Sequence, residues 1–179
     1  MGTITFKRTS GGTVTIGNSV YQEGLPKGFT GYRDADGNLC GFEQGSLALS
    51  WAIAEKGDNS MLLTPVTAHW AGLKFEVLPG YLTDGLSKPR LTWTVVGHPY
   101  GDALAAAVVH DILYDTEALP RDRADACFND LIRALPVPRA RRILMYGAVR
   151  AGGAMTWWKH TDASREAAWT YLQVSNSEA

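Results

Sequence analysis

"HDILYDTEALPRDRADACF", His110 to Phe128, decides how this chain is read. It joins the end of one helical pattern to the start of the next through "EALP", Glu117 to Pro120, and it sets polar residues on faces that should be apolar. In the first pattern Ala106, Val109, His110 and Leu113 follow the i, i+3, i+4, i+7 spacing of a buried face. In the second, Ala124, Phe128, Leu131, Ile132 and Leu135 form the stripe, and Asp125 lies one turn before Phe128 on its inner edge. A link this short predicts antiparallel helices packed against each other. Counted from Leu119, His110 lies nine residues back and Asp125 six forward. The mismatch of three is about 4.5 Å along the axis, so contact between the two side chains is expected.

Outward from this stretch the texture changes once, near Gly101. Before it, short alternating runs such as "TITFKR", "TVTIG", "MLLTPVTAHW", "LKFEVL" and "RLTWTVV" are separated by Gly, Pro, Asn and Asp, a pattern of strands and turns. "DADGNLCG", Asp34 to Gly41, reads as a hairpin turn, while "QGSLALSWAIAEKGDN" fits either a strand pair or a short helix ending at Gly57. After it, the periodicity predicts helices near 102–117, 121–135 and 138–152, and a fourth over 162–173. Pro120, Pro136 and Pro138 mark the joints. The predicted fold class is α+β: a small antiparallel sheet in the N-terminal half, residues 1–100, followed by a three- to four-helix C-terminal half, residues 101–179.

With 179 residues and 45% hydrophobic content, the chain is long enough for one well-cored domain and short for two. Its 18 acidic residues nearly cancel its 17 Lys and Arg, so no global field points to nucleic acid. Cys40 and Cys127 read as free thiols, with a reducing compartment as the default. No signal-peptide pattern and no membrane-length apolar run is present. A soluble product made without a signal peptide is expected.

The buried His and Asp carry the chemistry. An ionised carboxylate in an apolar setting needs a partner, and a facing histidine supplies one. The same contact fixes the imidazole tautomer and raises its basicity, the base and orienter of many hydrolytic sites. His110 is therefore the candidate base and Asp125 its orienter, with Tyr114, four residues after His110, able to donate its hydroxyl to the same cluster. Asp111, about 100° round the helix from His110, is placed to face a loop and bind a hard cation. A second motif, "TDGLSKPR", must form a loop: Asp84 suits a tight turn or a cation, Ser87 a phosphate, and Arg90 a bidentate grip on an anion. A loop folded over the helix pair would join Asp84 to Asp111 in a two-carboxylate cation site, with Ser87 and Arg90 near the substrate.

"TDGLSKPR", "VVHDILYD", "RADACF" and "YGAVRAGG", in this order, resemble a family of small phage-encoded proteins of unknown function, with the pattern TDGxSxPR, HDxLY, RxxADxxF and YxAVRxxG between about Phe75 and Gly153. The resemblance implies a phage or prophage origin, a place in the host cytoplasm and possible incorporation in the virion. More distantly, HD-x-x-Y followed by AD-x-x-F is similar to the helix pair of phospholipase A2-like enzymes. That likeness implies His110 as base, Asp111 as a calcium ligand, Asp125 as orienter, Tyr114 in support, and phospholipid or another ester as substrate. The interval of 15 residues from His110 to Asp125 is shorter than in those enzymes, and their glycine-rich calcium loop and disulfides are not recognisable.

Each feature also has a plainer reading. His110 and Asp125 fit a core polar network that fixes helix register, and "TDGLSKPR" fits an ordinary turn. Arg139, Arg141, Arg142 and Arg150 read as a solvated helix face, Trp157 and Trp158 as packing against the sheet, and Arg121 as a structural partner of Asp125 or Glu117. Three function classes follow: a metal-assisted (phospho)ester hydrolase, a virion or tail component contacting other phage structural proteins, and a small effector that binds a host target through the loop at Asp84. Within the enzymes, a phosphohydrolase metal pair would draw on His69 or His98 and on Asp125 or Asp162.

Overall fold

A computed structural model describes residues 14–16, 19–21, 24–47, 51–53, 60–83, 102–157 and 161–177. Its elements run in the order β1 (Val14–Ile16), β2 (Ser19–Tyr21), β3 (Thr30–Arg33), β4 (Leu39–Phe42), β5 (Trp51–Ile53), β6 (Ser60–Leu62), β7 (Val66–Trp70), β8 (Leu73–Val77) and β9 (Leu82–Thr83). Four helices follow, α1 (Leu104–Thr116), α2 (Arg121–Arg133), α3 (Arg139–Trp157) and α4 (Asp162–Trp169), and then β10 (Leu172–Asn176). The α+β class is thus an antiparallel five-stranded sheet, ordered β10-β8-β7-β4-β3, whose strands β3, β4, β7 and β8 precede the four helices in the chain and whose edge strand β10 follows them, with smaller sheets β5-β6-β9 and β1-β2.

Alternation along the central strands explains the layering. Val66, Ala68 and Trp70 of β7, Phe75 and Val77 of β8 and Leu172 of β10 share one face and enter the core. Thr67, His69, Lys74, Glu76 and Ser175 share the other. α1 and α2 cover the apolar face, α1 over β7 and β8 and α2 over β4 and β7. The two-residue link between β7 and β8, Ala71–Gly72, takes positive φ at both positions, as a tight hairpin with right-handed strand twist requires. The turn read in "DADGNLCG" closes β3 onto β4, with Asp34 N–H donating to Asn38 O at 2.9 Å and Gly37 at φ +84°.

α1 is buried on almost every side, including Ala105, Ala106, Ala107, Val108, Val109, Ile112 and Leu113, because the sheet, α2, α3 and α4 surround it. Its alanines let those neighbours approach closely. α2 is one-sided, burying Ala124, Asp125, Cys127, Phe128, Leu131 and Ile132. Both faces predicted for this pair are the ones buried.

Two helix boundaries differ from expectation. The third helix does not stop at residue 152 but continues through Gly152 and Gly153 to Trp157, because Gly153 lies against α1 and its lack of a side chain is used for packing. The fourth ends at Trp169, not 173, and Leu172–Asn176 pairs with β8 as an edge strand. The unpaired edge of β8 supplies a hydrogen-bonding ladder that helical periodicity cannot announce. Within the ambiguous stretch Trp51–Ile53 is a strand, β5, which pairs with β6 just beyond the stretch; residues 48–50 and 54–59 lie outside the described residues. Among the described residues no helix is long and apolar enough to cross a membrane.

Candidate functional site

α1 and α2 fold back across Glu117–Pro120, and the contact expected between them forms. His110 Nε2 lies 3.1 Å from Asp125 Oδ1, and Tyr114 Oη donates to the same oxygen at 2.5 Å. Arg150 Nη1 of α3 donates to Oδ2 at 2.7 Å, and Arg121 Nε stands 3.8 Å from it. Arg121 also donates to Tyr114 Oη at 3.3 Å and to the Arg150 carbonyl at 2.8 Å, tying three helices to one carboxylate. Asp125 has 0% exposure, so these protein groups, and not water, solvate it.

Burial pushes the Asp125 carboxyl up, but the hydrogen bonds from His110, Tyr114 and Arg150 outweigh it and hold the group below its ordinary value. Burial first, then the hydrogen bond to this carboxylate, pushes the Tyr114 phenol up to about 12. An ionised carboxylate only accepts, so the proton of the His110–Asp125 bond is on Nε2 and the lone pair is left on Nδ1. That nitrogen has no hydrogen-bond partner among the described residues. The Tyr114 and Phe128 rings flank the imidazole, with centroids at 4.2 and 5.1 Å.

Two features escaped the reading of the sequence. Arg150 is exposed, as the solvated face assigned to it with Arg139, Arg141 and Arg142 expects, but the tip of its guanidinium also reaches the buried Asp125 carboxylate. Its place in "YGAVRAGG" was the available signal, since Gly153 in the same motif receives the Tyr114 hydroxyl. A Cβ on Gly153 would run into that hydroxyl and lie 3.2 Å from the ring. Trp157 packs edge-on against Tyr114, with ring centroids at 5.0 Å, where α3 crosses α1; Trp158 lies outside the described residues.

Asp111 faces away from His110, as its angular offset predicts, and accepts from Thr83 Oγ1 at 2.6 Å. One turn on, Asp115 accepts from Tyr81 Oη at 2.7 Å, so these two carboxylates dock the Tyr81–Thr83 segment onto α1. Thr83 opens "TDGLSKPR", which brings the start of that motif to Asp111. Asp84, Ser87 and Arg90, and also His98, lie outside the described residues. Of the phosphohydrolase alternatives, two lie elsewhere: His69 bonds Glu43 and Ser177 on the opposite face of the sheet, and Asp162 pairs with Arg165 at the start of α4. Among the described residues no three His, Cys, Asp or Glu side chains gather as a metal site. Arg165, not Arg121, holds Glu117, at 2.6 Å.

Residues 62–149 match a family described as "Protein of unknown function (DUF1353)". The DUF1353 match runs from the end of β6 into α3, takes in His110, Tyr114, Arg121 and Asp125, and stops one residue before Arg150. The chain is also similar to the uncharacterized protein y4jT of Sinorhizobium fredii (strain NBRC 101917 / NGR234), 35% identical over 83 residues. That alignment covers 46% of this chain and only 25% of the relative. No solved structure matches.

Proposed function

We propose that this chain is a hydrolase of ester or phosphoester bonds in which His110 is the general base. One observation carries the reading: a buried, ionised Asp125 holds His110 by Nε2 and leaves Nδ1 to take a proton from water. Water then attacks the ester carbon or phosphorus, and the leaving oxygen departs as His110 returns the proton. Asp125 stabilises the imidazolium formed midway, while Tyr114 and Arg150 keep Asp125 ionised.

Phospholipid is the proposed substrate and calcium the proposed cofactor, both from the likeness to phospholipase A2-like enzymes. Calcium takes six to eight oxygen ligands. Asp111, which accepts from Thr83, would be one carboxylate ligand, and Asp84 and its loop would have to supply the rest. No step above is routed through the ion. A phage or prophage origin rests on the four motifs.

A second reading has its own observation in favour. Arg121, Arg150 and Tyr114 all converge on Asp125, more partners than a base orienter needs, as befits a network that fixes the register of three helices in a virion or assembly component.

Fatty-acid release from mixed phospholipid vesicles, with calcium, with chelator and with His110→Gln, separates the two. The hydrolase reading expects calcium-dependent release that His110→Gln reduces roughly 10²-fold or more with its circular dichroism unchanged. Wild-type protein, folded by the same criterion, that releases nothing under any condition overturns it.

A further inference from the structure

On the face of the five-stranded sheet away from α1 and α2, a second set of groups is lined up. Gly31, Gly41, His69, Lys74 and Ser175 form one row across five strands. The two glycines leave the row bare beside His69, and the Phe29 ring lies over the gap, edge-on to the imidazole at 5.5 Å. His69 is 6% exposed. Its Nδ1 lies 2.6 Å from Ser177 Oγ and its Nε2 2.8 Å from Glu43 Oε1, which also receives Lys74 Nζ at 2.8 Å. Burial pushes the Glu43 carboxyl up, but the bonds from Lys74 and His69 outweigh it, so the group is held ionised below its ordinary value. An ionised Glu43 accepts a hydrogen bond from Nε2–H, which leaves Nδ1 to accept from the Ser177 hydroxyl.

We propose that Ser177, His69 and Glu43 form a nucleophile, base and orienter for acyl-ester hydrolysis, a site separate from Asp125 and on the other side of the sheet. The imidazole is turned end for end relative to the usual serine hydrolase order, but the roles follow from geometry and not from which ring nitrogen plays them. A mixed polar and apolar cleft of ≈ 690 Å³ opens beside the relay, lined by Glu43, His69 and Lys74, by Ser175 and Asn176 just before Ser177, and on its apolar side by Pro26, Phe29 and Leu39. Pro26, Phe29 and Leu39 give the cleft an apolar side that suits a small acyl group.

In the first half, Ser177 Oγ bonds to the acyl carbon as its proton moves to His69 Nδ1; the ester C–O bond breaks and the alcohol leaves with that proton. In the second, water gives a proton to His69 and its oxygen to the acyl carbon. The carboxylic acid leaves as Oγ recovers the proton. Ser177 and His69 are the catalytic residues, and Glu43 is a positioning residue.

A fluorophosphonate probe, which traps an activated serine, tests this on the full chain, with peptide mass mapping to place the label and p-nitrophenyl acetate turnover as a second readout. One label per chain on Ser177 is expected, absent in Ser177→Ala and slowed roughly 10²-fold in His69→Gln. Glu43→Gln should slow labelling, and Glu43→Asp should restore part of the rate, a recovery that loss of packing alone does not give. If His69→Gln does not fold, Ser177→Ala and the Glu43 pair still decide. Folded wild-type protein left unlabelled, labelled elsewhere, or labelled equally in Ser177→Ala overturns the proposal.

Discussion

Asp125 is the residue on which the helical site turns, because it is ionised where no water reaches it. Its folded pKa lies below the unfolded value, so its contribution to stability is complete above the ordinary carboxylate range, near pH 4. That contribution is lost as pH falls through the folded value. Asp125→Asn removes the charge that Arg150 and Arg121 face, and should cost about 3–5 kcal/mol at neutral pH. Urea denaturation across pH is the check: the gap between wild type and variant should narrow as the solution is acidified below pH 4. A gap that stays constant down to pH 2 would show that the carboxylate's charge is not what stabilises the fold. His110, Tyr114 and Asp125 were all legible as a cluster, since helical spacing fixes which side chains share a face. Arg150 was not, because whether a long cation turns to water or to a buried anion depends on a partner 25 residues away in the chain.

At the scale of elements, the site exists because α1 and α3 approach closely at Gly153. Alanine there gains helix propensity, roughly 1 kcal/mol. Its methyl group nevertheless meets a Tyr114 hydroxyl held by Asp125 and Arg121. Gly153→Ala should therefore lower stability by about 1–3 kcal/mol, and adding Tyr114→Phe, which removes the obstructing oxygen, should recover part of the loss. A double-mutant cycle by thermal unfolding measures the coupling; strict additivity would mean that the two residues do not meet. The α4 boundary carries the complementary lesson. Thr161 and Ser164 cap the start reciprocally, a signal local enough to read, whereas the end is set by the edge of β8, which draws Leu172–Asn176 into a strand.

At the scale of the whole molecule, the two thiols report on how firmly sheet and helices close on one another. Burial pushes Cys40 up to about 12 and raises Cys127 well above its ordinary value; both are buried, Cys127 at the α2 face of the core. Neither offers a thiolate to an external reagent in the native state. Both should react with a thiol-specific disulfide reagent only as fast as the core opens, and at once in denaturant, with reaction followed by absorbance; rapid native labelling of Cys127 would place an opening at the α2–sheet boundary. The sequence by itself determined the α+β order, the buried faces of α1 and α2 and the meeting of His110 with Asp125. These follow from short-range periodicity and a link too short to allow another arrangement. Only the tertiary structure decided that Arg150 completes the Asp125 cluster, that Leu172–Asn176 is a strand, and that Glu43, His69 and Ser177 share one face of the sheet. Those contacts join residues 25 to 108 positions apart, and strand order, unlike helical spacing, leaves no periodic mark in the chain.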